Sequence, residues 1–307
     1  MYRFVGKQKA NHQITTMCRV LGVSSSGYYA WCKRGLSERA KRDTELTNKI
    51  RHIHQASRGT YGAPRIHAEL RLEHGIRCAR KRVARLMRDA GLTGISRRRS
   101  RGITRRNPAR QSYDDLVGRN FMPDAPDRLW VADLTQHATG EGWLYLAVVL
   151  DAFSRKVVGW SMGERAQAEL VINALTMAIR NRRPYDGLIH HSDHGSQYTA
   201  LAFGNTLQDA GMLGSMGRVG DALDNAVAES FFASLQTELL DRQPWPTRQM
   251  LRSAIFEYIE RFYNRSRRHS TLGYLSPTEH ERRWYTQTKS VISSSSTPSP
   301  ILSTKTG

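Results

Sequence analysis

The order of apolar segments from Trp130 onward limits the fold of this chain most strongly. Three segments rich in aromatic and β-branched residues follow one another with short turns between them: VADLTQHA, WLYLAVVLDAF and RKVVGWSM. They predict an antiparallel three-stranded meander. A helical pattern around Leu175, the strand GLIHHSD, a helix over 199–211, the strand LGSMGR and a long helix through Phe231 and Leu235 come next. The order β-β-β-α-β-α-β-α predicts an α/β fold with one mixed five-stranded sheet.

The charge of the chain is divided unevenly along its length. Residues 1–112 contain 27 Lys and Arg against 6 Asp and Glu, whereas the rest of the chain contains 20 against 21. The net charge of +20 therefore lies in the first third of the sequence. A basic module joined to a nearly neutral one predicts a polyanionic partner for the basic part.

Two helical patterns in the basic third are typical of helix–turn–helix modules. The first, over residues 13–33, stops at Gly22 and resumes at a Ser-rich N-cap. The second, over residues 42–91, contains three short amphipathic patterns. The last of these carries five basic residues, Arg80, Lys81, Arg82, Arg85 and Arg88. This arrangement favours a DNA-binding module, and an ordinary solvated helical bundle is the alternative.

A stretch without hydrophobic periodicity, SRRRSRGITRRNPARQS, follows these helices. Its arginines would repel one another without an anionic partner, so we predict a flexible basic linker that contacts phosphates. A plain charged linker is the alternative. The arginines expected to bind DNA are Arg97, Arg98, Arg99, Arg105 and Arg106.

Three acidic residues lie where a purely structural role is hard to explain. Asp133 is inside the first predicted strand, Asp193 ends the strand GLIHHSD, and Glu229 lies one turn into the long helix, off its apolar face. A carboxylate among apolar neighbours is costly unless it binds something. Three carboxylates in one place need a cation, and oxygen ligands favour Mg²⁺ or Mn²⁺ over zinc. Two such ions would serve phosphoryl transfer.

The segments that contain these acids resemble a known family. WVADLT, HHSDHGSQY and DNAVAESFF are similar to the three blocks of the integrase core that retroviral integrases and bacterial insertion-sequence transposases share. Asp133 and Asp193 are 60 positions apart, and 35 residues separate Asp193 from Glu229, which is the spacing of the family's DD(35)E motif. The resemblance is strongest to the second-reading-frame product of a large bacterial insertion-sequence group, and it runs from the YGAPRI segment to about residue 283.

The resemblance implies a ribonuclease-H-like core in which Asp133, Asp193 and Glu229 hold two Mg²⁺ or Mn²⁺ ions. It implies a DNA transposase that cleaves a strand at each element end and joins the exposed 3′-hydroxyl to target DNA. Asn225 also matches the motif and is expected to contact or orient the substrate. Gln236 occupies a position, seven residues after Glu229, where the family usually has a basic residue that touches DNA.

A basic block near the C-terminus, YNRSRRHSTLGYLSP, also looks like a family segment. We predict DNA contacts for Arg267 and His269 in this block, with an ordinary solvated loop as the alternative. The histidines around Asp193 (His190, His191 and His194) have no Cys partner and no HExxH helix. We therefore expect a structural or substrate-side role for them rather than a zinc site.

The implied partners are double-stranded DNA at the element ends and at the target, further copies of the chain on that DNA, and a first-reading-frame protein or fusion partner. Two other functions remain open: a ribonuclease-H-like nuclease without strand transfer, and an inactive DNA-binding regulator. The longest apolar run, Trp143–Leu150, is far shorter than the ~20 residues that span a bilayer. We expect no membrane contact and a place in the bacterial cytoplasm, associated with the nucleoid.

These patterns divide the chain into six predicted segments. They are a helix–turn–helix-like segment over 1–40, a helical DNA-binding module over 41–95, a basic linker over 96–122, a catalytic core over 123–242, a C-terminal helical extension over 243–285 and an unstructured Ser/Thr/Pro-rich tail over 286–307.

Overall fold

The computed structural model describes residues 1–35, 37–95, 123–193, 195, 197–216 and 226–295. Six residues with predicted DNA contacts lie outside these ranges, namely Arg97, Arg98, Arg99, Arg105, Arg106 and Asn225. His194 also lies outside them. None of the helices in the described ranges is both long enough and apolar enough to cross a membrane.

Three short helices at the N-terminus pack around their own small core of Val5, Met17, Cys18 and Tyr28. They are α1 (Tyr2–Gln8), α2 (Ile14–Val20) and α3 (Ser25–Lys33). The turn between α2 and α3 needs the left-handed backbone of Gly22, whose φ is 64°. Ser24 caps α3, because its hydroxyl accepts a hydrogen bond from the Gly27 N–H at 3.0 Å. The predicted helix–turn–helix pattern is therefore present.

The three helices predicted in the second basic region are also confirmed. They are α4 (Glu38–Ala56), α5 (Ala63–Leu72) and α6 (Arg80–Asp89). The chain turns in the left-handed region at Gly75 after α5 and at Gly91 after α6. Their apolar faces meet through buried residues at helical spacing, among them Ile50, Ile66 and Val83.

A mixed five-stranded sheet forms the second half of the molecule. Its strands are β1 (Leu129–Thr139), β2 (Gly142–Asp151), β3 (Val157–Gly163), β4 (Ile189–Ser192) and β5 (Leu213–Met216). The spatial order is β3-β2-β1-β4-β5. The first three strands pair antiparallel as the predicted meander, whereas β1 pairs parallel with β4, and β4 with β5. This is the predicted ribonuclease-H-like arrangement.

Helices cover both faces of the sheet. They are α7 (Ala168–Arg182), α8 (Leu201–Asp209) and α9 (Ala226–Glu238). Trp130 and Ala132 of β1 belong to the core cluster with α7 and α8, whereas Val131 belongs to the cluster with α9. Side chains that alternate between the two faces explain this division. Gly159 lets α7 approach β3, because a Cβ there would lie 2.2 Å from the Ala174 carbonyl oxygen.

The C-terminal part of the chain packs against α9. Helix α10 (Arg248–Glu257) runs into a π-helical turn over Tyr258–Tyr263, and α11 (Pro277–Ser295) ends the described chain. The unstructured tail predicted from residue 286 is thus wrong for its first ten residues. The polar residues there are compatible with a helix, because the hydroxyls of Thr286 and Thr288 donate to carbonyl oxygens one turn earlier, at 2.9 and 3.0 Å.

The helical module α4–α6 packs directly on this C-terminal part. The Tyr61 hydroxyl accepts from the Arg268 N–H at 2.7 Å and donates to the Ser266 carbonyl at 3.0 Å. The Arg268 guanidinium binds Glu69 at 2.5 Å and Glu73 at 2.6 Å. The apolar residues of the module and of the core form one continuous buried cluster. The basic module is therefore held against the part of the chain that supports α9.

Candidate active site and DNA-binding surface

Asp133 lies on β1, and Asp193 directly follows the neighbouring parallel strand β4. The register of β1 and β4 pairs Val131 with His191, and the two acids follow two residues later on each strand. Asp133 is opposite Val148 of β2, which belongs to the apolar cluster on the α9 side. Alternation along β1 therefore puts the Asp133 carboxylate on the side of the sheet that α9 covers.

Each of the two carboxylates accepts a hydrogen bond from a nearby main-chain N–H. Oδ1 of Asp133 accepts from the Leu134 N–H at 2.8 Å, and Oδ1 of Asp193 accepts from the Gly195 N–H at 3.1 Å. Both acids are half-buried. These main-chain donors stabilise the negative charge of both carboxylates.

Glu229 lies in the first turn of α9 and is exposed, while Val227, Ala228 and Phe231 are buried. The prediction that it lies off the apolar face is confirmed. Among the residues that the structure describes, no group of three or more His, Cys, Asp or Glu side chains is arranged to hold a metal ion. The structure thus brings Asp133 and Asp193 into register without bringing Glu229 into a three-residue cluster with them.

Tyr198 is a residue of this site that the sequence patterns did not reveal. Its side chain is 2% exposed, and its hydroxyl has no hydrogen-bond partner among the described residues. Burial raises the pKa of Tyr198 well above its usual value, and the charges of Asp133 and Asp193 raise it further. The hydroxyl is therefore neutral. Its place five residues after Asp193 was the one signal available in the sequence.

His190 and His191 have structural surroundings. The His190 ring is fully buried and packs edge-on against Phe203, with the ring centroids 5.3 Å apart. Burial, followed by the neighbouring His191, lowers the pKa of His190 to about 3, so the ring is neutral. Nδ1 of His191 lies 3.0 Å from the Ser215 hydroxyl on β5. Both rings therefore belong to the packing of β4 rather than to a solvent-facing site.

Arg267 and His269, predicted to contact DNA, are directed into the protein. The Arg267 guanidinium makes two 2.7 Å hydrogen bonds with Glu238 of α9, and its side chain is 5% exposed. The His269 ring is buried and packs edge-on against Tyr263, with centroids 4.9 Å apart. The prediction of DNA contacts, and the alternative of a solvated loop, both assumed an exposed segment, whereas this segment packs against Glu238 of α9. Neither side chain is placed to reach DNA in this structure.

Gln236 is exposed on α9, and its side-chain amide donates to Asp241. The amide is two helical turns from Glu229 on the same helix. Its carboxamide is therefore available to solvent near the end of α9, although part of its hydrogen-bonding capacity is used by a neighbouring acid.

The basic residues of α6 fall into two groups. Arg82 and Arg85 are both bound to Asp43 of α4, each at 2.6 Å, and these bonds lower the pKa of Asp43. Arg80, Lys81 and Arg88 are exposed, and no ion pair with another described residue involves them. The second group forms the free basic surface of the helical module.

Comparison with known proteins identifies the family. An integrase core domain model matches residues 123–222, a second integrase core domain model matches residues 229–284, and an HTH-like domain model matches residues 41–100. The chain is 38% identical over 284 residues to transposase InsF for insertion sequence IS3A of Escherichia coli K12, covering 92% of this chain and 98% of InsF. The chain belongs to the insertion-sequence transposases with an integrase core.

A second protein similar to this chain is the 31 kDa protein of insertion element IS600 of Shigella sonnei. It is 44% identical over 269 residues, covering 88% of this chain and 98% of the relative. Among solved structures, the catalytic core domain of BIV integrase is 17% identical with a TM-score of 0.39, covering 53% of this chain and 99% of that chain. The HTLV-2 integrase catalytic core in complex with magnesium is 19% identical with a TM-score of 0.38, covering 52% and 98%. These structural likenesses are weak, and the family assignment rests on the sequence relatives.

Proposed function

We propose that this transposase cleaves one DNA strand at each end of an insertion sequence and transfers the exposed 3′-hydroxyl into target DNA. The observation that carries the proposal is the place of Asp133 and Asp193, each two residues beyond the last paired residues of the parallel strands β1 and β4, together with Glu229 on the helix that covers the Asp133 face of the sheet. Acids at this end of a parallel pair lie where α/β sheets bind their ligands.

The donor set fits Mg²⁺ or Mn²⁺, because carboxylate oxygens are the ligands these ions prefer. A shared cation would stabilise the two half-buried carboxylates, Asp133 on β1 and Asp193 directly after β4. We propose that Asp133, Asp193 and Glu229 hold two such ions. When bound, the ions would activate the attacking oxygen and stabilise the leaving oxygen of an in-line displacement. The proposal requires the exposed Glu229 side chain to join the other two acids.

The residues of the chain itself have binding and positioning roles in this proposal. The free basic surface of α6 (Arg80, Lys81 and Arg88) binds phosphates of the element end, together with the arginines at 97, 98, 99, 105 and 106. Asn225, four residues before Glu229 in the sequence, and Gln236 of α9 contact the DNA strand that enters the site. We further propose that several copies of the chain assemble on DNA, with a first-reading-frame protein as a partner.

An assay with a pre-cut 3′-hydroxyl end, a target plasmid and Mg²⁺ tests the proposal. The wild-type protein should give joined product, and Asp133→Asn should give none while its DNA affinity is unchanged. Asp209→Asn, an exposed acid at the end of α8, is the matched control and should join normally. Hydrolysis without joined product in the wild-type protein would favour the nuclease, and DNA binding without any strand cleavage would favour the regulator.

A further inference from the structure

Helices α2 and α3 of the N-terminal module (α1–α3) form a closely packed pair. Four residues, 21–24, separate them, and the Val23 N–H closes the end of α2 by donating to the Cys18 carbonyl at 2.9 Å. Tyr28 of α3 is 3% exposed and packs with Met17 and Cys18 of α2 in the core of the module. A second helix that follows a short glycine-containing turn in this way is the one that enters the major groove of DNA in helix–turn–helix proteins.

The face of α3 opposite Tyr28 is exposed. Its residues have the spacing i, i+3, i+4 and i+7, which places them on one side of the helix. They are Ser26, Tyr29, Ala30 and Lys33, and the Tyr29 ring is 52% exposed. The nine residues of α3 span about 13 Å, and the major groove of DNA, about 12 Å wide, admits one α-helix. The size and the exposed face of α3 therefore fit this groove.

The exposed face of α3 differs chemically from that of α6. The exposed cations of α6 suit phosphates, which carry no sequence information, and they are Arg80, Lys81 and Arg88. The face of α3 has one cation, Lys33, and otherwise presents a hydroxyl, a phenol and a methyl group. Serine forms hydrogen bonds with several base edges, and the methyl group of alanine packs against that of thymine. The side chains of α3 are thus suited to bases rather than to phosphates.

The charge of the N-terminal module fits a polyanionic partner. Residues 1–37 contain six Lys and Arg and no Asp or Glu. All six are exposed, and they are Arg3, Lys7, Lys9, Arg19, Lys33 and Arg34. Cations beside a groove-binding helix neutralise the phosphates that line the groove, whereas docking of a protein does not require a surface of one sign. The charge therefore favours DNA over a protein as the partner of this module.

We propose that α3 is a sequence-reading helix, whose exposed face contacts base edges in the major groove of double-stranded DNA at the insertion-sequence end. Ser26 and Tyr29 contact the bases, and the surrounding cations bind the flanking phosphates. Helix α6 then contributes affinity for any DNA, and α3 contributes discrimination between sequences. This inference deepens the proposed function and rests on it for the identity of the DNA.

The test compares binding of the full-length protein to two duplexes, one with the element end and one with a shuffled sequence of the same length and base composition. The ratio of the two affinities should fall by about tenfold in Tyr29→Ala, because a base contact is lost. The slope of log affinity against log salt should stay at the wild-type value, since a neutral side chain displaces no counterion. Ser26→Ala should also lower the ratio, and unfolding of α3 would not be the cause, because alanine favours a helix more than serine does.

Phe4→Ala is the matched control, since the Phe4 ring lies on α1 and is 54% exposed. Its affinity ratio should equal that of the wild-type protein. The inference is overturned if Ser26→Ala and Tyr29→Ala both keep the wild-type ratio, if Phe4→Ala lowers the ratio as much as Tyr29→Ala, or if the wild-type protein binds the two duplexes equally.

The strand-transfer assay separates this inference from the proposed function. Joined product from a wild-type protein whose α3 variants keep the affinity ratio would show that the inference alone fails. A lower ratio in the α3 variants, with no joined product from the wild-type protein, would support sequence reading by α3 and contradict the proposed strand transfer.

Discussion

Arg267 and Glu238 form a buried ion pair beneath the helix that carries Glu229. Two guanidinium nitrogens of Arg267 lie 2.7 Å from the two carboxylate oxygens of Glu238, and both side chains are 5% exposed. Arg65 of the basic module adds a third nitrogen, at 3.3 Å from the same carboxylate. One acid of α9 is therefore bound both by the C-terminal segment and by the DNA-binding module. The position of α9, and with it of Glu229, depends on this cluster.

Arg267→Met should lower the free energy of unfolding by about 3–5 kcal/mol, because it leaves the buried Glu238 charge without its main partner. Adding Glu238→Gln should restore part of the loss, since the uncompensated charge is then gone. Urea unfolding measures both effects. Arg261→Ala, which breaks an exposed pair with Glu257, is the control and should change the free energy by about 0.5 kcal/mol or less. An Arg267→Met variant as stable as this control would contradict the structure.

The buried Asp151 should make stability depend on pH. Burial raises the pKa of Asp151 to about 6, and the nearby Glu281 contributes to the rise, while hydrogen bonds from Ser154 and from the Asp127 N–H oppose it. The Ser154 hydroxyl lies 2.7 Å from Asp151 and 2.9 Å from Glu281, but it has one hydrogen to donate. A proton on Asp151 resolves this shortage of donors.

The direction of this pH dependence follows because the pKa of Asp151 is higher in the folded protein than the ~3.9 of the unfolded chain. The stabilisation from the Asp151 proton is fully present below about pH 4 and is lost as the pH rises through about 6. Asp151→Asn should remove this dependence, so the variant should gain about 2 kcal/mol relative to wild type between pH 4 and pH 7. Urea unfolding across this range measures the difference. A difference that is the same at all pH values would show that Asp151 titrates normally.

DNA binding should separate the two groups of basic residues on α6. The double variant Arg80→Ala/Lys81→Ala removes two exposed cations, and the slope of log affinity against log salt should fall by about 2. Arg82→Ala is the control, because the Arg82 guanidinium is bound to Asp43. Its salt slope should stay at the wild-type value. The measurement is binding of a duplex with the element end at several salt concentrations, and equal losses in both variants would refute this assignment of the DNA surface.

The sequence predicts the sheet and the face of Asp133, for a local reason. Alternation of apolar residues fixes which face of β1 each side chain occupies, so the face of Asp133 follows from that of Val131. The segment GLIHHSD likewise has Asp193 at its end, whichever strand it pairs with. Register between β1 and β4 then places each acid two residues beyond the paired residues Val131 and His191.

The features that the sequence did not predict depend on distant partners. Glu238 has the spacing of an ordinary helix charge, and its partner Arg267 is 29 residues away in a segment that resembles a solvated loop. The buried state of the Tyr198 hydroxyl depends on Phe203 and on the sheet beneath it. Such pairings are set by tertiary packing, which local patterns of polarity do not encode.

Strand transfer by Glu229→Gln tests the central claim most directly, because Glu229 is the acid that must join the Asp133–Asp193 pair. The matched control is Glu169→Gln, an exposed acid in the first turn of α7 on the opposite face of the sheet. With a pre-cut element end, a target plasmid and Mg²⁺, we expect joined product from the control at the wild-type yield. Glu229→Gln should bind the same DNA and give no joined product. Joined product from Glu229→Gln at the wild-type yield would contradict the three-carboxylate site.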